Sequence, residues 1–215
     1  MARINTIGVL TSGGDAPGMN AAARAVVRTA LAKGVEVMGI IGGYSGLINE
    51  NIIPLNTRSV ANIINRGGTM LYSDRCDKFK TKEGLELAVE NCHKNKIDGI
   101  ITLGGDGTFR GATDLSRLGI PCIGVPCTID NDISSTDYTI GFDTALNTVV
   151  QMVDRLRDTC ESHARCDVVE VMGNRCGDIA LYAGVCGGAE YIIVPEKAWT
   201  IEGLCEKLEE SKEAG

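Results

Sequence analysis

The sequence predicts an α/β fold built on a doubly wound, mainly parallel sheet. Apolar runs of strand length alternate with amphipathic stretches of helical period along most of the chain. Glycine-rich turns join an apolar run to a helical stretch twice, at 13–14 and at 104–107. An acidic segment, Thr128-Ile129-Asp130-Asn131-Asp132, directly follows a third apolar run, where open α/β sheets place their ligands.

The elements follow in order. Ile4 to Leu10 is apolar and reads as the first strand. A helix begins near Gly18, because Met19, Ala22, Ala23, Val26, Val27, Ala30 and Leu31 form one apolar stripe, and Gly34 is its stop. Val35 to Ile41 is the next strand, ending at Gly42-Gly43-Tyr44. A short helix is expected over Ser59 to Asn65 and a more polar one over Thr81 to Lys96. Ile97 to Leu103 is a strand; a helix then runs from the second glycine turn to Leu118, and Ile120 to Val125 is another strand. A longer helix starts near Asp143, with Leu146, Val149, Val150, Val153 and Leu156 as its buried stripe. Val168 to Val171 and Tyr191 to Val194 read as strands around a helix from Asp178 to Cys186, and a charged helix runs from Ile201 to the end. No repeat, low-complexity stretch or linker composition interrupts the pattern. The best domain boundary lies at Thr139 to Gly141, giving 1–140 and 141–215.

Composition excludes several classes of function. A formal charge of −7 argues against nucleic acid or an anionic membrane as the main partner. No apolar run reaches membrane-spanning length, and Met1-Ala2-Arg3 leads into a strand rather than a signal peptide, so a cytoplasmic location is expected. The nine cysteines are odd in number and form no Cys-x-x-Cys pair, which argues against a disulfide framework or a zinc site. With 27 glycines and no collagen-like period, the chain is expected to have many tight loops where backbone approaches a ligand.

Gly13-Gly14 lets backbone N–H groups come close to a phosphate, with a helix start behind them. Gly104-Gly105-Asp106-Gly107-Thr108 repeats the arrangement with an acid inside. A carboxylate beside a phosphate is tolerated when magnesium lies between them, which makes Asp106 the candidate metal ligand. Neither loop fits the Walker A or the Gly-x-Gly-x-x-Gly pattern, and a simple strand-to-helix turn is the alternative for each. On an extended segment Thr128, Asp130 and Asp132 point the same way; a solvated acidic turn is the alternative there. Two functions fit the residues: phosphoryl transfer, with an aspartate accepting the proton of a hydroxyl, or a nucleotide-sensing module without chemistry.

Six ordered segments carry a resemblance to 6-phosphofructokinase of the bacterial, allosteric, ATP-dependent type. They are Thr11–Asn20, Asn65–Thr69, Gly104–Thr108, Thr128–Asp132, Asp137–Phe142 and Asp154–Thr159, and the similarity runs from Ile4 to about Pro195. The resemblance implies transfer of a phosphoryl group from ATP, with Mg2+, to fructose 6-phosphate in glycolysis. It makes 1–140 a nucleotide-binding, Rossmann-like domain and 141–215 the truncated start of a sugar-phosphate-binding domain. Asp130 falls on the catalytic base, with Thr128 and Asp132 as its partners. Gly14, Tyr44, Arg75, Cys76, Gly105, Asp106, Gly107 and Thr108 fall on nucleotide contacts, Arg75 being the arginine that neutralises the transferred group. Thr128, Ile129, Asp130, Arg165, Met172, Gly173 and Asn174 fall on sugar-phosphate contacts, Arg165 reaching in from a neighbouring subunit of a homotetramer. Arg24, Arg28, Arg157 and Glu190 fall on an effector site for ADP or phosphoenolpyruvate. For Arg24 and Arg28, one turn apart, a solvated helix face is the alternative.

Three features depart from the family pattern. Cys127 stands where ATP-dependent members have glycine and pyrophosphate-dependent members have lysine, while Gly107 is the ATP-type residue. A pyrophosphate-dependent enzyme and a non-catalytic nucleotide-binding chain are therefore the alternative readings. Asn174 occupies the register of an arginine that stabilises the transferred group, and Arg175 comes next. The chain also ends before the family's second domain is complete, from which poor folding and little activity of residues 1–215 alone are expected.

Overall fold

The computed structural model describes residues 4–214, so the reading of Met1–Arg3 as leading straight into a strand lies outside the described residues. The chain divides into two compact units, Met1–Thr128 and Ile129–Gly215. The division falls ahead of the 139–141 region that the sequence points to.

In the first unit, β1 (Thr6–Thr11), β2 (Glu36–Ile40), β3 (Ile52–Leu55), β4 (Gly99–Gly104) and β5 (Cys122–Thr128) pair in the order β3-β2-β1-β4-β5. All neighbours are parallel except β2 and β3, so the sheet is mixed but mostly parallel. From β1 the chain moves one strand outward to β2 and β3. It then returns to the other side of β1 for β4 and β5. The reversal point lies between β1 and β4, and the crevice outside their carboxyl ends is where such sheets bind ligands. Both glycine loops begin there, after Thr11 and at Gly104.

Helices α1 (Met19–Ala32), α2 (Gly43–Ile48), α3 (Lys82–Lys94) and α4 (Asp106–Arg117) cover the sheet. Leu10, Ile40, Ile100 and Ile97 pack with Leu47, Ala88, Cys92 and Leu115 in one core on the side of α2, α3 and α4. Val9, whose side chain alternates with that of Leu10, faces the other way, where α1 buries Met19, Ala23 and Val27. Gly34 ends α1 with φ 73°, and the Val35 N–H donates to the Ala30 carbonyl, the six-residue closure of a left-handed helix stop. Thr81 caps α3 by accepting the Gly84 N–H at 3.1 Å.

Two elements of this unit were not legible. Helix α2 starts at Gly43 after a left-handed Gly42, φ 85°, where the glycine pair reads as a simple strand end. Strand β3 contains Pro54, which argues against a strand, yet it lies at the sheet edge, where proline is tolerated. The helix expected over 59–65 is a series of turns instead. Val60 and Ile63 are buried, but Asn62 is left-handed at φ 56° and Ile64 is 63% exposed, so the segment has no continuous helical backbone.

The second unit contains β6 (Ile140–Gly141), α5 (Phe142–His163), α6 (Asp178–Gly187) and α7 (Ile201–Ala214). Helices α5 and α6 pack together, with Val153 against Gly187. The α5 stripe is less buried than its pattern suggests: only Phe142 is fully buried and Leu156 is 38% exposed. The strands expected at 168–171 and 191–194 are absent among the described residues. A strand is maintained by ladder partners, which these segments lack, and Val168 is 90% exposed.

Candidate active site

Three segments of the first unit converge outside β1 and β4. The Thr108 hydroxyl donates to the Ser12 carbonyl at 2.9 Å, tying the second glycine loop to the first. The Ser12 N–H donates to the Leu103 carbonyl, and the Gly13 N–H to the Asp74 carbonyl at 3.2 Å. The Ser73 hydroxyl donates to the Gly13 carbonyl at 2.5 Å. Residues 12–14, 73–75 and 104–108 thus form one hydrogen-bonded surface. Thr128 closes it at the end of β5, since a Cβ on Gly105 would lie 3.6 Å from Thr128 Cβ.

The glycines here have separate physical reasons. Gly13 has φ 85°, a conformation that side chains disfavour. A Cβ on Gly104 would come within 2.6 Å of the Ser12 carbonyl, so the two loops could not approach. Beside Gly14 and Gly107 a Cβ would meet nothing within 4 Å, which leaves open space in front of both backbones. Exposed N–H groups at the start of α4 and the helix dipole make that space favourable to an anion.

Asp106 is the first residue of α4. Its carboxylate is 54% exposed and pairs with Arg110 at 2.7 Å, one turn along the helix. Arg75 is exposed, and its backbone N–H donates to Asp74 Oδ1 at 2.7 Å, while Asp74 Oδ2 accepts the Ser45 hydroxyl at 2.7 Å. Cys76 is half-buried beside it. The Asp74 contacts have no sequence signature, because most of them run through backbone groups.

Tyr44 lies beneath this surface rather than on it. It is 4% exposed, its ring stacks on Phe79 at 3.9 Å, and its hydroxyl donates to the Thr108 carbonyl at 2.6 Å. Burial, with Cys122 and Asp114 nearby, holds its hydroxyl protonated far above neutral pH. The side chain supports the second glycine loop from below. Tyr44→Phe removes one buried hydrogen bond and is expected to cost about 1 kcal/mol. The melting midpoint should fall by about 2–4 °C, and an unchanged midpoint would show that the hydroxyl adds no net support. Cys127 is 1% exposed, and burial raises its thiol pKa to about 11, so it remains a neutral packing group at pH 7.

The second unit holds the remaining acids. Asp130 is half-buried and Asp132 exposed, on either side of Asn131, whose backbone is left-handed at φ 54°, so the extended alternation expected over 128–132 is broken there. Ile129 is half-buried. In 172–177, the Cys176 N–H donates to the Gly173 carbonyl at 2.8 Å, closing a turn in which Gly173 has φ 152° and Asn174 φ 56°. Met172 is 75% exposed, and Asn174 and Arg175 are exposed. Arg165 is exposed after the end of α5, its N–H donating to the Cys160 carbonyl.

Of the four effector candidates, Arg24 and Arg28 lie on α1. Arg24 donates to the Val60 carbonyl at 3.2 Å, and Arg28 is exposed. Arg157 lies on α5, its guanidinium 3.3 Å from where a Cβ on Gly188 would lie, and Glu190 is exposed two residues beyond Gly188.

ATP-dependent 6-phosphofructokinase of Clostridium botulinum is 58% identical over 212 residues, covering 99% of this chain and 66% of that protein. This chain therefore spans just under two thirds of the length of that curated relative. Among solved structures, phosphofructokinase from Pichia pastoris in the T-state superposes with a TM-score of 0.92 at 35% identity, covering 100% of this chain and 27% of that one. Phosphofructokinase from Saccharomyces cerevisiae gives 0.90 at 36% identity, covering 98% and 32%. The family model described as phosphofructokinase matches residues 6–215, and with that match the chain belongs to the phosphofructokinase family.

Proposed function

We propose that this chain carries the nucleotide site and the acidic segment of an ATP-dependent 6-phosphofructokinase, which converts fructose 6-phosphate and ATP to fructose 1,6-bisphosphate and ADP. One observation carries the reading: the two glycine loops, the 73–74 segment that precedes Arg75, and Thr128 are gathered by hydrogen bonds and close packing at the reversal point of the sheet. The name of the Clostridium botulinum relative supports the donor and acceptor.

Residues 1–140 supply the nucleotide-binding part and 141–215 open the sugar-phosphate-binding part. Backbone N–H groups at Gly14, Gly105 and Gly107 receive the nucleotide phosphates, with Cys76 alongside and with Tyr44 and Thr108 as support. Asp130 takes the proton of the acceptor hydroxyl as its oxygen bonds to the γ-phosphorus and the bond to the bridging oxygen of ADP breaks. Thr128, Ile129 and Asp132 flank the base, and Met172, Gly173 and Asn174 hold the sugar phosphate, with Arg165 serving a neighbouring subunit. Arg75 neutralises charge on the transferred group. Asp106 fits magnesium: its carboxylate is exposed at a helix start beside the phosphate loop. Among the described residues no three His, Cys, Asp or Glu side chains cluster, and a magnesium ion held by Asp106 would take its other ligands from phosphate and water. When bound, magnesium offsets the negative charge of the phosphates. Arg24, Arg28, Arg157 and Glu190 form an effector site for ADP or phosphoenolpyruvate in a homotetramer. No described helix is long and apolar enough to cross a membrane, and a cytoplasmic location is part of the proposal.

Donor choice tests the reading. Gly107 leaves open space for the larger nucleotide. Cys127 alternates with Thr128 on β5 and is buried, so its side chain points away from Gly105. A complete chain carrying these residues should phosphorylate fructose 6-phosphate with ATP far better than with pyrophosphate. Preference for pyrophosphate would overturn the assignment.

A further inference from the structure

Asn131 stands between the two acids, and every hydrogen-bonding atom of its amide is engaged. Its Oδ1 accepts the Thr139 N–H at 3.0 Å and the Thr139 hydroxyl at 3.4 Å. Its Nδ2 donates to the Asp137 carbonyl at 3.3 Å and to Asp178 Oδ2 at 2.9 Å. The first three bonds close the loop 131–139 on itself, with Thr139 only 4% exposed. The fourth anchors that loop to the first residue of α6, 47 positions away.

The anchor is chemically selective. A carboxylate only accepts, so Asp178 can receive nothing from Asn131 except its NH2 group. That choice leaves Oδ1 directed at Thr139 and fixes the amide orientation. With both side-chain ends held, the left-handed backbone at Asn131 is held too, and so are the directions in which Asp130 and Asp132 leave it.

We propose that Asp178 is a positioning residue for phosphoryl transfer, acting through Asn131 to set the segment that bears Asp130. The inference rests on the reading of Asp130 as the base. A competing role for Asp178 is simple stabilisation of the α6 start, where any negative charge is favourable. The two roles separate by chemistry. Positioning needs an acceptor oxygen at 178, which asparagine retains; dipole stabilisation needs the charge, which asparagine lacks.

The test compares Asp178→Ala, Asp178→Asn, Asn131→Gly and Asp130→Asn in a complete chain carrying these residues. Glycine at 131 keeps the left-handed backbone while removing the amide. Asp178→Ala should lower kcat roughly 10–100-fold, the scale of a misplaced catalytic group, with KM for ATP little changed. Asp178→Asn should recover most of the loss, and Asp178→Ala combined with Asn131→Gly should be no worse than Asn131→Gly alone. In the same complete chain, the Thr139 amide should exchange its hydrogen faster in Asp178→Ala than in Asp178→Asn. If Asp178→Ala keeps its kcat while Asp130→Asn loses it, positioning fails and the base stands. If Asp178→Asn falls as far as Asp178→Ala, charge rather than an acceptor is required and the proposal is wrong. If Asp130→Asn stays active, the base assignment fails and takes this inference with it. Should Asp178→Ala prevent folding, retained kcat in Asn131→Gly overturns the proposal from the other partner of the bond.

Discussion

Asp130→Asn is expected to lower turnover roughly 10²–10⁴-fold, the usual contribution of a general base. The substitution keeps the size of the side chain and removes its capacity to take a proton. Asp130 is half-buried, and asparagine fills the same space, so nucleotide affinity should change little and the loss should appear in kcat. Steady-state kinetics of a complete chain with ATP and fructose 6-phosphate checks it. Turnover near that of the parent would remove Asp130 from the mechanism and favour a nucleotide-binding chain without chemistry.

Exchanging Asn174 and Arg175 is expected to raise turnover, because an arginine that stabilises the transferred phosphoryl group can contribute on the order of 10³–10⁵ in rate. The structure adds a cost on the other side. Asn174 has φ 56°, a region that asparagine tolerates and arginine resists by about 1–2 kcal/mol. The exchanged loop should thus be more active and less stable, unless the turn at 173–176 relaxes. Comparing kcat and the melting midpoint of the two complete chains separates these effects. Equal turnover would show that Arg175, exposed one position later, already serves.

The first unit was more legible than the second for a physical reason. Strands β1, β2 and β4 and helices α1, α3 and α4 are held by patterns that lie within each segment: apolar period, caps and glycine stops. Strand β3 and helix α2 carry no local signal, because an edge position accommodates Pro54 and a left-handed helix start uses the Gly42-Gly43 pair. At 168–171 and 191–194 the apolar residues favour strand, but pairing is a property of partners, which local sequence cannot report. The candidate site divides similarly. Gly14, Gly107 and Asp106 announce themselves by residue type and spacing. Tyr44 was expected on the ligand side, and only its stacking on Phe79 and bond to Thr108 place it beneath the loop. Asp74 and Asp178 act through contacts with residues distant in sequence, and no motif signals either.

Strand β3 has a consequence for how copies of this chain can meet. It forms one end of the strand order, and Pro54 sits in the middle of its four residues. Proline offers no N–H, so the outer rim of β3 cannot present an unbroken row of donors and acceptors to a foreign strand. That rim is a poor template for extending the sheet from one molecule into the next. Self-association through that flank is left to side-chain surfaces, and edge-to-edge growth of the sheet is blunted there by a single ring.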